Sequence, residues 1–282
     1  METGLKNMTV RKNNNNNFQP LNRLSVQVSL NGLSFLIQNT ETLEIIFFKD
    51  ISFLGTYSPE EVLFEIKKAY ETYPELSENI ENISILHENN LYALVPKSIF
   101  QEEAISEYLK FNTKVLPNDY ITFDTLDVYD MVTVYVPFTN INNYFFEIYG
   151  AFDFYHTSTI FIQKILAEER KENLLKMHVH VFDCRFDVLV TQNKSVQLYN
   201  RFTYSTPEDF IYYILFIAEQ LNMNPEVFPL YLYGKIKEGD ALYTIAYTYI
   251  RNVFLPEIIS SAKGMELLSK IDIQSHPLLF SN

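Results

Sequence analysis

The sequence predicts an α/β protein in which one building block, made of a β-hairpin, a third strand and a capped helix, is used twice. Three observations carry this reading. Leu24 to Leu30, Leu33 to Ile37 and Leu43 to Phe48 form one series of short strands, and Met177 to Asp183, Phe186 to Val190 and Val196 to Phe202 form a second. Each series runs into a helix opening of the same chemistry, Ser58-Pro-Glu-Glu61 and Thr206-Pro-Glu-Asp209. The spacing is kept as well: Met177 lies 153 residues beyond Leu24, Val196 lies 153 beyond Leu43, and Pro207 lies 148 beyond Pro59. Chance seldom preserves such an order.

Each element has a local cause. Leu24-Ser-Val-Gln-Val-Ser-Leu30 alternates, then meets Asn31-Gly32, a strong hairpin signal that fits a type I′ turn. In both helix openings Ser or Thr caps, Pro fits the first helical position, and the acid reaches back to the cap, as in a capping box. The first helix runs to about Tyr73 and its counterpart through Leu221. Downstream, Thr133-Val-Tyr-Val-Pro137 pairs with Leu230-Tyr-Leu-Tyr-Gly234 at a spacing of 97. Helices over about 139 to 149 and 239 to 250 follow, and then the short strands Ala151 to Tyr155 and Asn252 to Leu255. The fall in spacing places 51 extra residues in the first copy. An inserted subdomain is therefore expected over about 77 to 125, with a hairpin of Ile83 to Leu86 and Leu91 to Val95 and a helix opened at Ser98-Ile-Phe-Gln101. Antiparallel strands followed by strand-helix-strand crossovers make a mixed sheet with helices on its faces. The chain divides into a disordered tail over 1–20, a first lobe over 21–172 and a second over 173–282.

Composition narrows the classes. Hydrophobic residues make up 47% of the 282, with 23 Phe and 20 Tyr, so a full core is available. Residues 1 to 20, with the run Asn13 to Asn17, lack the apolar surface to offset the entropy of ordering. A net charge of −13 opposes direct binding of nucleic acid, whose phosphates are held by Lys and Arg. The longest apolar run, Phe210 to Ala218, is far short of the roughly 20 residues that span a bilayer, and it reads as a core helix. One cysteine, Cys184, forms no internal disulfide, and no leader pattern opens the chain, which together read as cytoplasmic.

The order of elements, met twice, resembles the actin, hexokinase and sugar-kinase superfamily, whose lobes are ribonuclease H-like. The stretch Leu198-Tyr-Asn-Arg-Phe-Thr-Tyr-Ser-Thr-Pro-Glu-Asp-Phe-Ile-Tyr-Tyr-Ile-Leu215, with Leu94-Val-Pro96, is similar to a family of Bacteroidetes proteins of unassigned activity that carry the actin-like ATPase fold. The resemblance covers about residues 20 to 255 and implies a duplicated actin-like fold of two lobes, each with a mixed five-stranded sheet flanked by helices. It brings a fold and no activity.

The resemblance also implies where a nucleotide would sit. In the superfamily the first hairpin turn of each lobe holds phosphates through an Asp-x-Gly pattern. Here the first turn, Ser29-Leu-Asn-Gly32, keeps Gly32 and has Leu30 where the acid belongs, and the second, Asp183-Cys-Arg185, keeps the acid and lacks the glycine. The phosphate-loop equivalents are thus Asn31, Gly32, Asp183 and Arg185, with Gly234 as the one glycine near the adenosine side. Each also has an ordinary explanation as a turn residue.

Other groupings are less specific. His178 and His180 share a strand face, with Asp183 and Cys184 just beyond, in a loose sketch of a metal site. His87, His156 and His276 stand alone, and no nucleophile motif occurs. Phe210-Ile-Tyr-Tyr-Ile-Leu-Phe-Ile217 is apolar all round, as a helix wedged between layers would be. The half-complete turns favour a non-catalytic interaction or scaffold protein with an unknown protein partner and no membrane insertion. The alternative is a divergent ATP-binding protein or ATPase, with ATP and Mg²⁺ organised by Asp183 in the inter-lobe cleft.

Overall fold

Each lobe begins with strands whose apolar side chains face one layer of helices. A computed structural model describes residues 21–110, 115–116, 118–256 and 275–281, and the tail expected over residues 1 to 20 lies outside the described residues. The chain divides into two units, at Ile160 and Phe161.

The first unit opens with β1 (Asn22–Ser29), β2 (Gly32–Asn39) and β3 (Ile45–Ser52), followed by α1 (Pro59–Thr72) and β4 (Ile80–Glu88). After β4 the chain leaves the sheet through β5 (Tyr92–Pro96), α2 (Ile105–Lys110), β6 (Thr122–Leu126) and β7 (Met131–Tyr135). It returns with α3 (Thr139–Tyr149) and β8 (Asp153–His156), and α4 (Thr157–Glu168) follows at once. The main sheet has the order β3-β2-β1-β4-β8. The first three strands pair antiparallel, and β4 and β8 lie parallel to β1. Leu24, Val26, Val28, Phe35 and Ile37 pack with Ile66 of α1 and with Ile141 and Phe145 of α3, all at most 1% exposed. Burying side chains of this size stabilises by roughly 1.5–3 kcal/mol each.

The second unit repeats the plan. Its strands β9 (Lys176–Val181), β10 (Arg185–Gln192) and β11 (Ser195–Thr203) lead into α5 (Pro207–Gln220), β12 (Pro229–Gly234), α6 (Ala241–Tyr249) and β13 (Asn252–Phe254). The sheet order is β11-β10-β9-β12-β13, the counterpart of the first, again with the hairpin antiparallel and the last two strands parallel. Alternation along β9 sends Met177, Val179 and Val181 into the core with Phe210 and Ile214 of α5. His178 and His180 take the opposite face, where Phe161 of α4 lies 5.3 Å from the His180 ring. The apolar Phe210-to-Ala218 run lies within α5, and among the described residues no helix is long and apolar enough to cross a membrane.

Two expectations are corrected by the strand pairing. The hairpin of Ile83–Leu86 with Leu91–Val95 does not form: Ile83 to Leu86 belong to β4 in the main sheet, and Leu94 and Val95 pair with β7. The counterpart of β12 is therefore β4, whereas Thr133 to Tyr135 sit in a separate three-stranded sheet of order β5-β7-β6. The excess chain enters after the fourth strand, not before it. Spacing alone does not decide between the two, because β7 directly precedes α3 just as β12 precedes α6, so either placement gives strand then helix. The insertion has a core of its own, in which Ala93, Val95, Val132 and Val134 pack on Leu109 of α2. The helix expected from Ser98 starts at Ile105, after two short 3₁₀ turns.

The hairpin turns are corrected too. Neither Asn31 nor Gly32 has a positive φ, so the first turn is not type I′. Gly32 is required for another reason: a Cβ there would stand 2.8 Å from the Ile51 carbonyl oxygen. The type I′ signature, two consecutive left-handed residues, occurs at Asn193 (φ 54°) and Lys194 (φ 62°) between β10 and β11.

Both helix openings are complete capping boxes. Ser58 Oγ accepts from the Glu61 N–H at 3.3 Å while Glu61 accepts from the Ser58 N–H at 2.7 Å, and Thr206 with Asp209 does the same at 3.2 and 3.1 Å. Ser58→Ala and Thr206→Ala are each expected to cost about 1 kcal/mol, read as a lower urea midpoint with an unchanged m-value.

Candidate functional site at the strand ends

In open α/β sheets, ligands bind beyond the carboxyl ends of the parallel strands, where loops leave the sheet and backbone groups are unpaired. In the first unit the register brings Ser29 beside Glu88, and His87 beside His156. Gln27 donates Nε2–H to Glu88 at 2.5 Å, and both side chains are buried. The Gln27 Oε1 is buried and accepts no hydrogen bond from the described residues. No sequence motif marks this pair, whose members lie 61 residues apart. The available signal was a carboxylate ending a strand, Ile83 to Glu88, in which Ser84 and His87 stand among apolar residues.

The turn that follows β1 is closed by its own chain. Ser29 Oγ accepts from the Asn31 N–H at 3.1 Å and donates to the Gly32 carbonyl at 3.0 Å. The Asn31 carbonyl accepts from the Phe53 N–H at 2.8 Å, and the Leu30 carbonyl from the Tyr57 N–H at 2.7 Å. Asn31 Nδ2 lies 3.4 Å from Thr56 Oγ1.

Beside this turn a buried polar lattice ties the insertion to the sheet. Asn89 donates to the Val136 carbonyl at 2.8 Å and accepts from the Leu91 N–H at 2.8 Å, which clamps the chain where it leaves for the insertion and where it returns. Asp124 of β6 accepts from the His156 N–H at 2.8 Å, from Thr159 Oγ1 at 2.9 Å and from the Tyr135 hydroxyl at 3.1 Å. Since His156 Nδ1 accepts from the Ser158 N–H, its proton is on Nε2, which donates to the Asn89 carbonyl at 3.2 Å. His87 has the same tautomer: Nδ1 accepts from the Phe138 N–H at 3.3 Å, and Nε2 donates to Asn142 Oδ1 at 2.9 Å. Burial lowers the His87 pKa to about 4, partly offset by the Asn142 bond. Both histidines are fully enclosed structural members.

In the second unit the equivalent edge gathers Asp183, Arg185 and Gly234. Asp183 is exposed and accepts from Lys235 Nζ at 2.7 Å, an ion pair worth at most about 1 kcal/mol at that exposure. The Arg185 guanidinium lies 4.6 Å from the centre of the Phe182 ring, and burial lowers its pKa to about 10. The turn is pinned by Phe182 N–H to the Arg185 carbonyl at 2.9 Å and by the Tyr204 hydroxyl to the Phe182 carbonyl at 2.8 Å. Gly234 has φ +86°, and a Cβ there would meet the Val181 carbonyl oxygen at 2.3 Å. Its lack of a side chain thus serves the tight exit from β12. Cys184 is exposed at the turn.

The metal sketch dissolves in three dimensions. His178 is held by Glu169 at 3.2 Å and by the Tyr233 hydroxyl at 3.2 Å, whereas His180 is packed against Phe161 and Phe182. Among the described residues no three His, Cys, Asp or Glu side chains are grouped to hold a metal ion. Burial lowers the His180 pKa to about 3 and lowers that of His178 as well. Nearby, Asp187 is 2% exposed and takes two hydrogen bonds from Arg201, at 2.5 and 2.7 Å, and one from the Tyr199 hydroxyl at 2.8 Å.

The chain belongs to the family described as protein of unknown function (DUF3822), whose profile matches residues 11–253. Among solved structures it is similar to a protein of Bacteroides thetaiotaomicron VPI-5482 with an actin-like ATPase fold and unknown function. That likeness has 22% identity and a TM-score of 0.76, and covers 93% of this chain and 96% of the other. It is also similar to a chain of the PilM–PilN type IV pilus biogenesis complex, with 11% identity, a TM-score of 0.59 and coverage of 93% and 97%. No curated protein matches the sequence. The fold is therefore the actin-like ATPase fold, in duplicate lobes.

The buried histidines set a pH dependence. Folded, His87 and His180 titrate near 4 and 3 against an ordinary 6.5, so the unfolded chain takes up their protons first as pH falls. Stability is expected to be full above pH 6.5 and to decline towards pH 4, by up to about 1.4 kcal/mol per pH unit for each histidine. Urea midpoints measured from pH 7 to 4.5 should show this slope, and His87→Gln should lessen it by about one proton.

Proposed function

We propose that this member of the DUF3822 family is a non-catalytic protein-interaction scaffold, in the cytoplasm, built on an actin-like fold. One observation carries the reading: at each of the two turns that would meet phosphates, the chain's own groups engage an atom that a nucleotide or its metal would need. The Asn31 N–H is given to Ser29 Oγ, and Asp183 is given to Lys235. A nucleotide needs outward backbone N–H groups in the first place and a carboxylate free for Mg²⁺ in the second. The residues present do not fit that pair of tasks. The rival ATPase reading requires Asp183 to exchange Lys235 for a metal ion.

The insertion is the surface such a scaffold would use. Its small core lets it stand as a rigid unit, and it exposes Ile99 (62%) and Val128 (84%) on segments joined by the Lys97–Asp127 ion pair at 2.5 Å. Exposed apolar side chains held on a rigid edge suit a protein partner better than solvent. The PilM–PilN complex supports the reading by analogy, as a similar fold whose solved form is a complex of two proteins.

Thermal unfolding of the full chain with saturating magnesium ATP tests the proposal. No shift in Tm is expected. Ligand at a hundred times its Kd would add about 2.7 kcal/mol and raise Tm by several degrees. Such a rise, abolished by Asp183→Ala, would overturn the scaffold reading in favour of the nucleotide.

A further inference from the structure

The second unit holds a cavity that neither lobe turn explains. It has a volume of about 550 Å³, within the usual size range of small-ligand sites, and it opens beside the C-terminus of α4 at the amino ends of β9, β12 and β13. Its floor is a row of three rings in register across those strands. His178 stacks on Tyr231 at 4.9 Å and 14°, and Tyr231 stacks on Phe254 at 5.3 Å and 26°. Ile165, Leu174 and Val227 add aliphatic wall.

The polar side of the cavity is unequal in charge. Glu168, Glu169 and Glu172 line it against Arg170 and Lys176, and Lys176 is already paired with Glu172 at 3.1 Å. Glu169 is the decisive group. Its side chain is 6% exposed, and its Oε1 takes both protein donors, His178 Nε2 at 3.2 Å and Thr191 Oγ1 at 2.5 Å. Its Oε2 accepts none from the described residues. Burial lowers the His178 pKa, partly offset by Glu169, while the bonds from His178 and Thr191 hold the Glu169 carboxyl below the usual range against burial. A carboxylate that lines a cavity while only 6% exposed is favoured by a cationic donor that reaches it there.

We infer that this cavity binds an organic monocation, a primary ammonium or guanidinium carried on an apolar body, with Glu169 Oε2 taking the charged head and the Tyr231–Phe254 row and aliphatic wall taking the body. A metal ion lacks the ligand group it would need among the described residues. An anion would face three carboxylates. The head belongs either to a free amine or to a Lys or Arg side chain of a peptide, and the inference is independent of the scaffold reading.

Calorimetric titration of the full chain with 4-phenylbutylamine and with 4-phenylbutanol tests it. The amine should bind saturably and at least about tenfold tighter than the alcohol, as a charge-assisted hydrogen bond requires. Glu169→Gln keeps an acceptor for His178 and Thr191 and should remove that preference, leaving the alcohol unchanged. Phe254→Ala, at a side chain 46% exposed, should weaken both ligands alike. Acetyl-Leu-Lys-Phe-amide separates the sources: tighter binding than the amine assigns a peptide side chain, and weaker binding assigns a free amine. Equal affinity of amine and alcohol in the unaltered chain, no saturable amine binding, or an amine affinity unmoved by Glu169→Gln would overturn the inference.

Discussion

The first lobe depends on the enclosed carboxylate of Asp124. About fifty residues leave the sheet after β4 and return at α3, and a detour of that length joined only by its ends would pivot. Asp124 prevents this, because its two oxygens take a backbone N–H and a hydroxyl from the junction of β8 and α4, together with the Tyr135 hydroxyl from the neighbouring strand. At 3% exposure the group has no water to fall back on, so each bond it loses exposes the full desolvation cost of a buried acceptor. Asn89 completes the arrangement by fastening both ends of the detour to one amide. The insertion is thereby part of the lobe's polar interior as well as an appendage with its own apolar core.

The two lobes show how one backbone plan accommodates different polar chemistry. In each, a residue of the second strand reaches a partner on the third across the outer hairpin. In the first lobe this is a hydrogen bond from Ser34 to Asp50 at 2.8 Å, and in the second it is the two-pronged Arg201 grip on Asp187. The duplication therefore conserves strand order and capping while the layer beneath the hairpins has diverged. Glycine use has diverged as well. Gly32 relieves a strand-to-strand approach, and Gly234 relieves the exit from a parallel strand.

What was legible in the sequence was whatever depends on near neighbours. The capping boxes at Ser58 and Thr206, the alternation of β1 and β9, and the doubled order of elements were all visible, because each is set within a few residues. Placing the insertion was not, since assigning β4 rather than β7 to the main sheet is decided by pairing with β1, and two short apolar strands look alike out of context. The turn at Asn31-Gly32 was misread for a related reason: its dipeptide suits type I′, yet close packing by Ile51 dictated the glycine. Gln27 with Glu88, and Glu169 with His178 and Thr191, join residues 61, 9 and 22 positions apart. No local pattern announces such meetings, so the candidate site was legible only in its turns.

The exposed thiol at the β9–β10 turn has a practical consequence. Cys184 is the only cysteine in the chain, and it stands between Asp183, held by Lys235, and Arg185, stacked on Phe182. A maleimide fluorophore or nitroxide attached there would sit on the second lobe's turn without any engineering of the sequence, and would report directly on whatever disturbs the neighbouring charges.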